Sequence, residues 1–193
     1  LEFRELDTNQ ALTVLEGRAV PYGESTNVGW YFEQMADGVF DKSIAEAART
    51  LPLLLWHDNR TWPIGKATEW RSVPGDGLYG VWALNDSPDA QRGARLARDG
   101  YLTGMSVGYT PVRSNWDLLG DDEWDPSNDR LDTVTRLEAR LEETSLTPTP
   151  AFAGAQVQLV RSADRRGRTA GVRRAAPELA AWRAILDDVR ARV

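Results

Sequence analysis

The sequence predicts a mainly β fold with a few helices, an α+β chain whose strands close, or nearly close, into a barrel. Three observations carry this. Short apolar or alternating segments recur along residues 12–147, separated by Gly, Pro, Asn and Asp clusters. Only one segment in the body of the chain, 88–99, carries a full set of helix signals. The longest periodic segment, 131–147, alternates at period two and ends at Pro148 and Pro150. Many short strands with few helices satisfy their edges best by closure. The 193 residues suit one domain with an appendage.

In order, residues 12–20 form a first strand, broken by Pro21-Tyr22-Gly23, and 28–34 a second. Asp41 to Arg49 reads as a short helix capped near Asp41. Leu51 to His57 is a compact apolar run, too short for a helix and so a buried strand. Residues 62–71 and 78–85 are strands flanking the turn Pro74-Gly75-Asp76-Gly77. The 88–99 helix has Ser87 at the N-cap, Pro88 at N1, Asp89 in the first turn, Arg95 and Arg98 near the end, and Gly100 after it. Residues 102–113 form a strand, 114–130 an acidic loop, and 131–147 the long strand. The barrel domain is thus placed at 1–160. A basic linker follows at 161–176, with six Arg against one Asp, and a short amphipathic helix at 177–193 opens at Pro177.

Composition removes several classes of chemistry. The chain has no cysteine and one histidine. That excludes disulfide frameworks, thiolate metal sites, cysteine nucleophiles and any site built on two imidazoles. No cofactor is expected; composition leaves room for a carboxylate-only Mg²⁺ or Ca²⁺ site, but no Asp/Asn/Gly loop of the EF-hand type is present and no metal is assigned. No apolar run has the length of a membrane span, and the first residues lack a signal-peptide pattern, so the cytosol is the expected compartment. Residues 1–160 carry 14 basic against 25 acidic side chains, and 161–193 carry 9 against 4. An acidic body is a poor nucleic-acid binder. The basic tail suits the acidic surface of its own body, a partner, a tether inside a larger particle or, against the more ordinary reading as a linker to a docking helix, nucleic acid.

Three residues can carry chemistry. His57 follows Leu53-Leu54-Leu55-Trp56 and is the one side chain titrating near neutrality, a general base at a strand end or else a partly buried structural histidine. Ser106 stands in Gly104-Met105-Ser106-Val107-Gly108. The nucleophile-elbow reading of G-x-S-x-G fails, because that arrangement places the histidine after the serine and a helix after the strand. In a strand, Gly104, Ser106 and Gly108 share one face, leaving room beside the hydroxyl for another backbone, or marking a tight packing spot. Glu143 falls in phase with Leu137, Ala139 and Leu141, so strict alternation sends Glu142 to solvent and Glu143 to the apolar face. A buried carboxylate needs a partner, and His57 would serve; a slip of one residue would instead expose it. Ser106, His57 and Glu143 together make a candidate Ser-His-Glu hydrolase. A chymotrypsin-like order leaves Asp58, Glu69, Asp76, Asp86, Asp89 and Asp99 as other acids, and a Ser-His dyad as a further option.

Five ordered blocks resemble the prohead (head-maturation) proteases of tailed bacteriophages. They are Gly17 to Gly23; Glu33 through Phe40 to Ile44; Leu53 to His57 with Pro63-Ile64-Gly65-Lys66; Gly100 to Tyr109; and Leu141 to Ala155, with its Glu-x-Ser-Leu and Pro-Ala. Phe152 departs from the Asn common after Pro-Ala in that family. The resemblance implies a serine endopeptidase on a herpesvirus-assemblin-like barrel, with His57 as base, Ser106 as nucleophile and Glu143 at the third position, where herpesvirus relatives use a second histidine. It also implies the substrates: scaffolding segments of the immature capsid, as the delta domain of the major capsid protein or a separate scaffold, and the protease itself. The implied location is the assembling procapsid in the host cytoplasm. A homodimer through the 177–192 helix follows from the same likeness. The competing function is a non-catalytic capsid-assembly or scaffold-interaction protein that retains the barrel.

Overall fold

The structure, a computed structural model, describes residues 13–47, 50–118 and 132–162. They contain strands β1 (Val14–Pro21), β2 (Ser25–Asn27), β3 (Phe32–Met35), β4 (Pro52–Leu55), β5 (Gly65–Val73), β6 (Gly77–Leu84), β7 (Gly104–Asp117), β8 (Thr133–Thr147) and β9 (Gln156–Arg161), with helices α1 (Asp41–Ala45) and α2 (Pro88–Arg98). The order β8-β4-β5-β6-β1-β9-β7 returns to β8 through the β7–β8 pairing, so seven strands close a barrel and leave no open edge around the ring. β3 and β4 both lie parallel to β8, at Thr133–Arg136 and Thr144–Leu146 respectively, and β2 hangs from β3. The mainly β barrel expected from the sequence is the fold observed.

Several boundaries differ for identifiable reasons. Of the expected strand 28–34 only 32–34 is strand, within β3, because the chain turns at Val28–Tyr31 before it enters alongside β8. The expected 41–49 helix is a five-residue turn of helix whose N-cap is Phe40, with no side-chain cap. β7 runs on to Asp117, so residues 114–117 of the expected acidic loop are strand, paired to β8. β9 was not expected at all. It fills the gap between β1 and β7, through Met105 N–H to Ala155 O (2.9 Å) and Val157 N–H to Thr103 O (2.8 Å). β9 takes in Arg161, whose guanidinium pairs with Glu16 at 2.8 Å. The remaining linker and the 177–193 helix lie outside the described residues.

α2 forms as its signals dictate: Ser87 Oγ accepts from Ala90 N–H at 3.2 Å and Pro88 opens the helix. Its buried face is small, Ala90, Gly93, Ala94 and Ala97. That lets the helix axis approach Leu55, Ile64 and Leu146 at the barrel core. The largest wholly buried side chains, Trp82, Phe40, Leu15 and Met35, fill the interior. Among the described residues no helix is long and apolar enough to cross a membrane.

β8 does not alternate strictly. Its register against β7 shifts between Tyr109↔Leu141 and Gly108↔Glu143, and again between Arg113↔Glu138 and Ser114↔Arg136. Glu142 and Leu137 are the extra residues, and each such bulge reverses the inward face. The core positions are therefore Val134, Arg136, Ala139, Leu141, Thr144 and Leu146. Arg136, which strict alternation would place with Glu142 on the solvent face, is inside: its Nε donates to Glu33 at 2.7 Å, Nη1 to Ser114 Oγ and Nη2 to Tyr31 OH, both at 3.0 Å. The guanidinium also stands 5.7 Å and 5.8 Å from the Tyr31 and Trp116 ring centres.

Candidate active site

β4 ends at Leu55, so His57 lies beyond the strand, in a turn. Trp56 (φ 53°) and His57 (φ 58°) both adopt the left-handed region, which costs about 1–3 kcal/mol for each non-glycine residue. Neighbouring contacts hold them there. Trp56 N–H donates to Leu146 O (3.0 Å), His57 N–H to Ser145 Oγ (3.0 Å), and Asp58 N–H closes the turn on Leu55 O (3.0 Å). Parallel pairing of β4 with Thr144–Leu146 sets this turn against the end of β8 that bears Glu143.

Glu143 is not on the apolar face. The bulge at Glu142 hands the core to Thr144 and Leu146 and turns Glu143 to the outer face of the barrel. It is nevertheless sheltered, its side chain 14% exposed. Oε1 lies 2.5 Å from His57 Nδ1, and Oε2 accepts from Ser145 Oγ at 2.8 Å. The expected His57–Glu143 partnership is present, then, but is built on the outside of the sheet. Space for the carboxylate comes from Gly108, directly opposite in the β7 register: a Cβ there would lie 3.1 Å from Glu143 Cδ and Cγ and closer still to Oε1. We expect Gly108→Ala to displace the carboxylate and lower kcat by about 10²-fold while the barrel persists. Steady-state kinetics beside a thermal melt would check this.

Ser106 sits on β7, paired with Ser145, two residues from Gly108↔Glu143. Directly opposed residues share a face with Cβ atoms about 4.5–5.5 Å apart. Ser106, Ser145, Glu143 and the His57 turn therefore occupy one outer patch. Ser106 is 9% exposed. The glycines beside it do not open a path for a backbone to its hydroxyl, as the sequence suggested. The space at Gly108 goes to Glu143, and that at Gly104 to Thr147 O and the Pro150 ring, at 2.5 Å and 2.7 Å from a notional Cβ.

The alternative acids are elsewhere engaged where contacts define them. Asp58 binds Arg60 through both oxygens, Asp76 binds Arg18 and Tyr79, and Asp99 binds Arg98. His57 Nδ1 takes Glu143. The hydrogen bond that the imidazole donates to that carboxylate raises its pKa above the ordinary value, and partial burial opposes the rise. A raised histidine pKa means that the pair stabilises the fold fully below about pH 6.5, the unfolded value. This contribution is lost as pH climbs through the folded value.

Ser145 is the member of the patch that sequence inspection passed over. It appears in the Glu-x-Ser-Leu block, but only the fold shows its hydroxyl meeting both His57 and Glu143.

A family model described as caudovirus prohead serine protease matches residues 1–168. A search of curated proteins found no match. With the match spanning the whole described barrel and every residue of the patch, the chain belongs to the caudovirus prohead serine protease family.

Proposed function

We propose that this chain is a serine endopeptidase that cleaves scaffolding segments of the immature capsid, carried on the major capsid protein or on a separate scaffold, and cleaves itself, within the procapsid in the host cell. The observation that carries the chemistry is the 2.5 Å contact between His57 Nδ1 and Glu143 Oε1 on the face that bears Ser106. With Nδ1–H committed to the carboxylate, the neutral imidazole presents its lone pair at Nε2. Ser106 Oγ attacks the scissile carbonyl as His57 Nε2 takes its proton, and Glu143 stabilises the imidazolium. His57 then protonates the leaving amine, freeing the first product. Water, activated by the same nitrogen, hydrolyses the acyl-enzyme and returns the proton to Ser106. We place the oxyanion donors in the loop 148–155, whose Pro150 packs on Gly104, two residues before the nucleophile.

The test is a serine-reactive phosphonate applied to the wild-type chain and to Ser106→Ala, alongside cleavage of the capsid scaffold. We expect one label per chain, lost in the variant together with cleavage. An unlabelled, inactive wild type would support the non-catalytic assembly role instead, and undiminished cleavage by Ser106→Ala would overturn the assignment.

The raised imidazole also predicts a pH profile. The base must be neutral, so kcat/KM should fall as pH drops through a value above about 6.5. Glu143→Gln removes the interaction that raises it, so this acid limb should move to lower pH while kcat falls. A limb that stays in place would exclude Glu143 as the cause.

A further inference from the structure

We propose that Ser145 is a positioning residue, whose buried hydroxyl ties the His57 backbone to the far oxygen of Glu143 and so locks the carboxylate onto the imidazole. This deepens, and rests on, the roles given above to His57 and Glu143. Three contacts form a closed ring: His57 N–H to Ser145 Oγ at 3.0 Å, Ser145 Oγ to Glu143 Oε2 at 2.8 Å, and Glu143 Oε1 to His57 Nδ1 at 2.5 Å. The direction of each bond is decided by elimination. A hydroxyl has one proton, and an amide N–H can only donate. Ser145 must therefore accept from His57 and give its own proton to Glu143.

Two consequences follow from this arrangement. The terminal torsion of a glutamate is broad and roughly two-fold, so a carboxylate held by one oxygen swings; holding both oxygens fixes its plane on Nδ1. The same hydroxyl also engages the His57 amide, whose left-handed φ needs outside support. One side chain thus sets both where the imidazole stands and how its partner faces it. Ser145 is itself unsuited to attack a substrate: it is fully buried and its hydroxyl is spent in both directions, whereas Ser106 opposite retains some exposure.

His57 is the chain's only histidine, so its ring resonances in an NMR titration are assigned without ambiguity. The experiment compares the full-length wild type with Ser145→Ala, Glu143→Gln and the double variant, by titration and by scaffold-cleavage kinetics. We expect Ser145→Ala to lower kcat about 10-fold to 100-fold with KM little changed. Its His57 midpoint should fall toward the ordinary value, since the aligned hydrogen bond to Glu143 is the main cause of the rise. In the Glu143→Gln background, Ser145→Ala should cost less than it does in the wild type, because only its support of the His57 amide is then left to lose. Ser145→Cys, similar in size but a weak donor, should fall between and supplies the comparison should the alanine variant not fold. An unchanged midpoint, or losses that multiply in the double variant, would overturn the proposal. A wild type that does not cleave at all overturns the protease reading alone, and the titration then decides Ser145 separately.

Discussion

Replacing His57 with alanine should lower kcat by about 10⁴-fold or more, and adding Ser106→Ala should lower it no further. In the proposed mechanism the two side chains act in one step, attack and proton removal, so deleting either removes the whole advantage. What remains comes from substrate binding and oxyanion stabilisation, which neither residue supplies. The fold should tolerate the change: the His57 side chain is 42% exposed, and the turn is held by backbone bonds at Trp56 and Asp58. The measurement is scaffold cleavage by the two single variants and the double, each checked for a retained cooperative melt. Losses that multiply in the double variant would mean the two residues do not share a step.

Arg136→Leu should destabilise the protein by about 3–5 kcal/mol, the cost of stranding one partner of a buried ion pair. Glu33 and Arg136 have side chains 8% and 9% exposed, and their 2.7 Å contact is reinforced by Ser114, Tyr31 and Trp116. Remove the guanidinium and Glu33 keeps its burial without its cation. Tyr109 is the neighbour that remains: burial first, then its hydrogen bond to Glu33, push its phenol upward, so it persists as a neutral donor. One neutral donor does not replace a bidentate-capable cation. Urea unfolding with an unchanged m-value would measure the loss. Replacing both residues together by apolar ones of similar volume should recover much of it, because the desolvation of two charges disappears along with their attraction.

The site was legible wherever residue chemistry is scarce. One histidine in the chain leaves one imidazole to find, and Gly-Met-Ser-Val-Gly marked a serine strand whose flanking positions tolerate no side chain. Glu143 was selected through a premise that the structure overturns. Alternation was carried unbroken along β8, yet the strand holds two bulges, and Glu143 meets His57 because the second turns it outward. A bulge adds a residue without changing composition or hydropathy, so nothing local announces it. Arg136 shows the same failure in reverse: a charged residue that unbroken alternation would leave in water lies inside because Glu33, 103 residues away in sequence, is waiting there.

By itself the sequence determined the β-rich class, the well-capped helix α2 and the single imidazole open to a proposed site, since capping, short apolar runs and residue scarcity are local properties. Only the tertiary structure decided that β9 completes the ring, that His57 sits in a left-handed turn, and that Ser145 joins it to Glu143. Those features exist through pairing between distant segments: a strand such as Gln156–Arg161 has no partner until β1 and β7 present their edges. Likewise, a strained turn holds only against the hydrogen bonds that the neighbouring strand supplies.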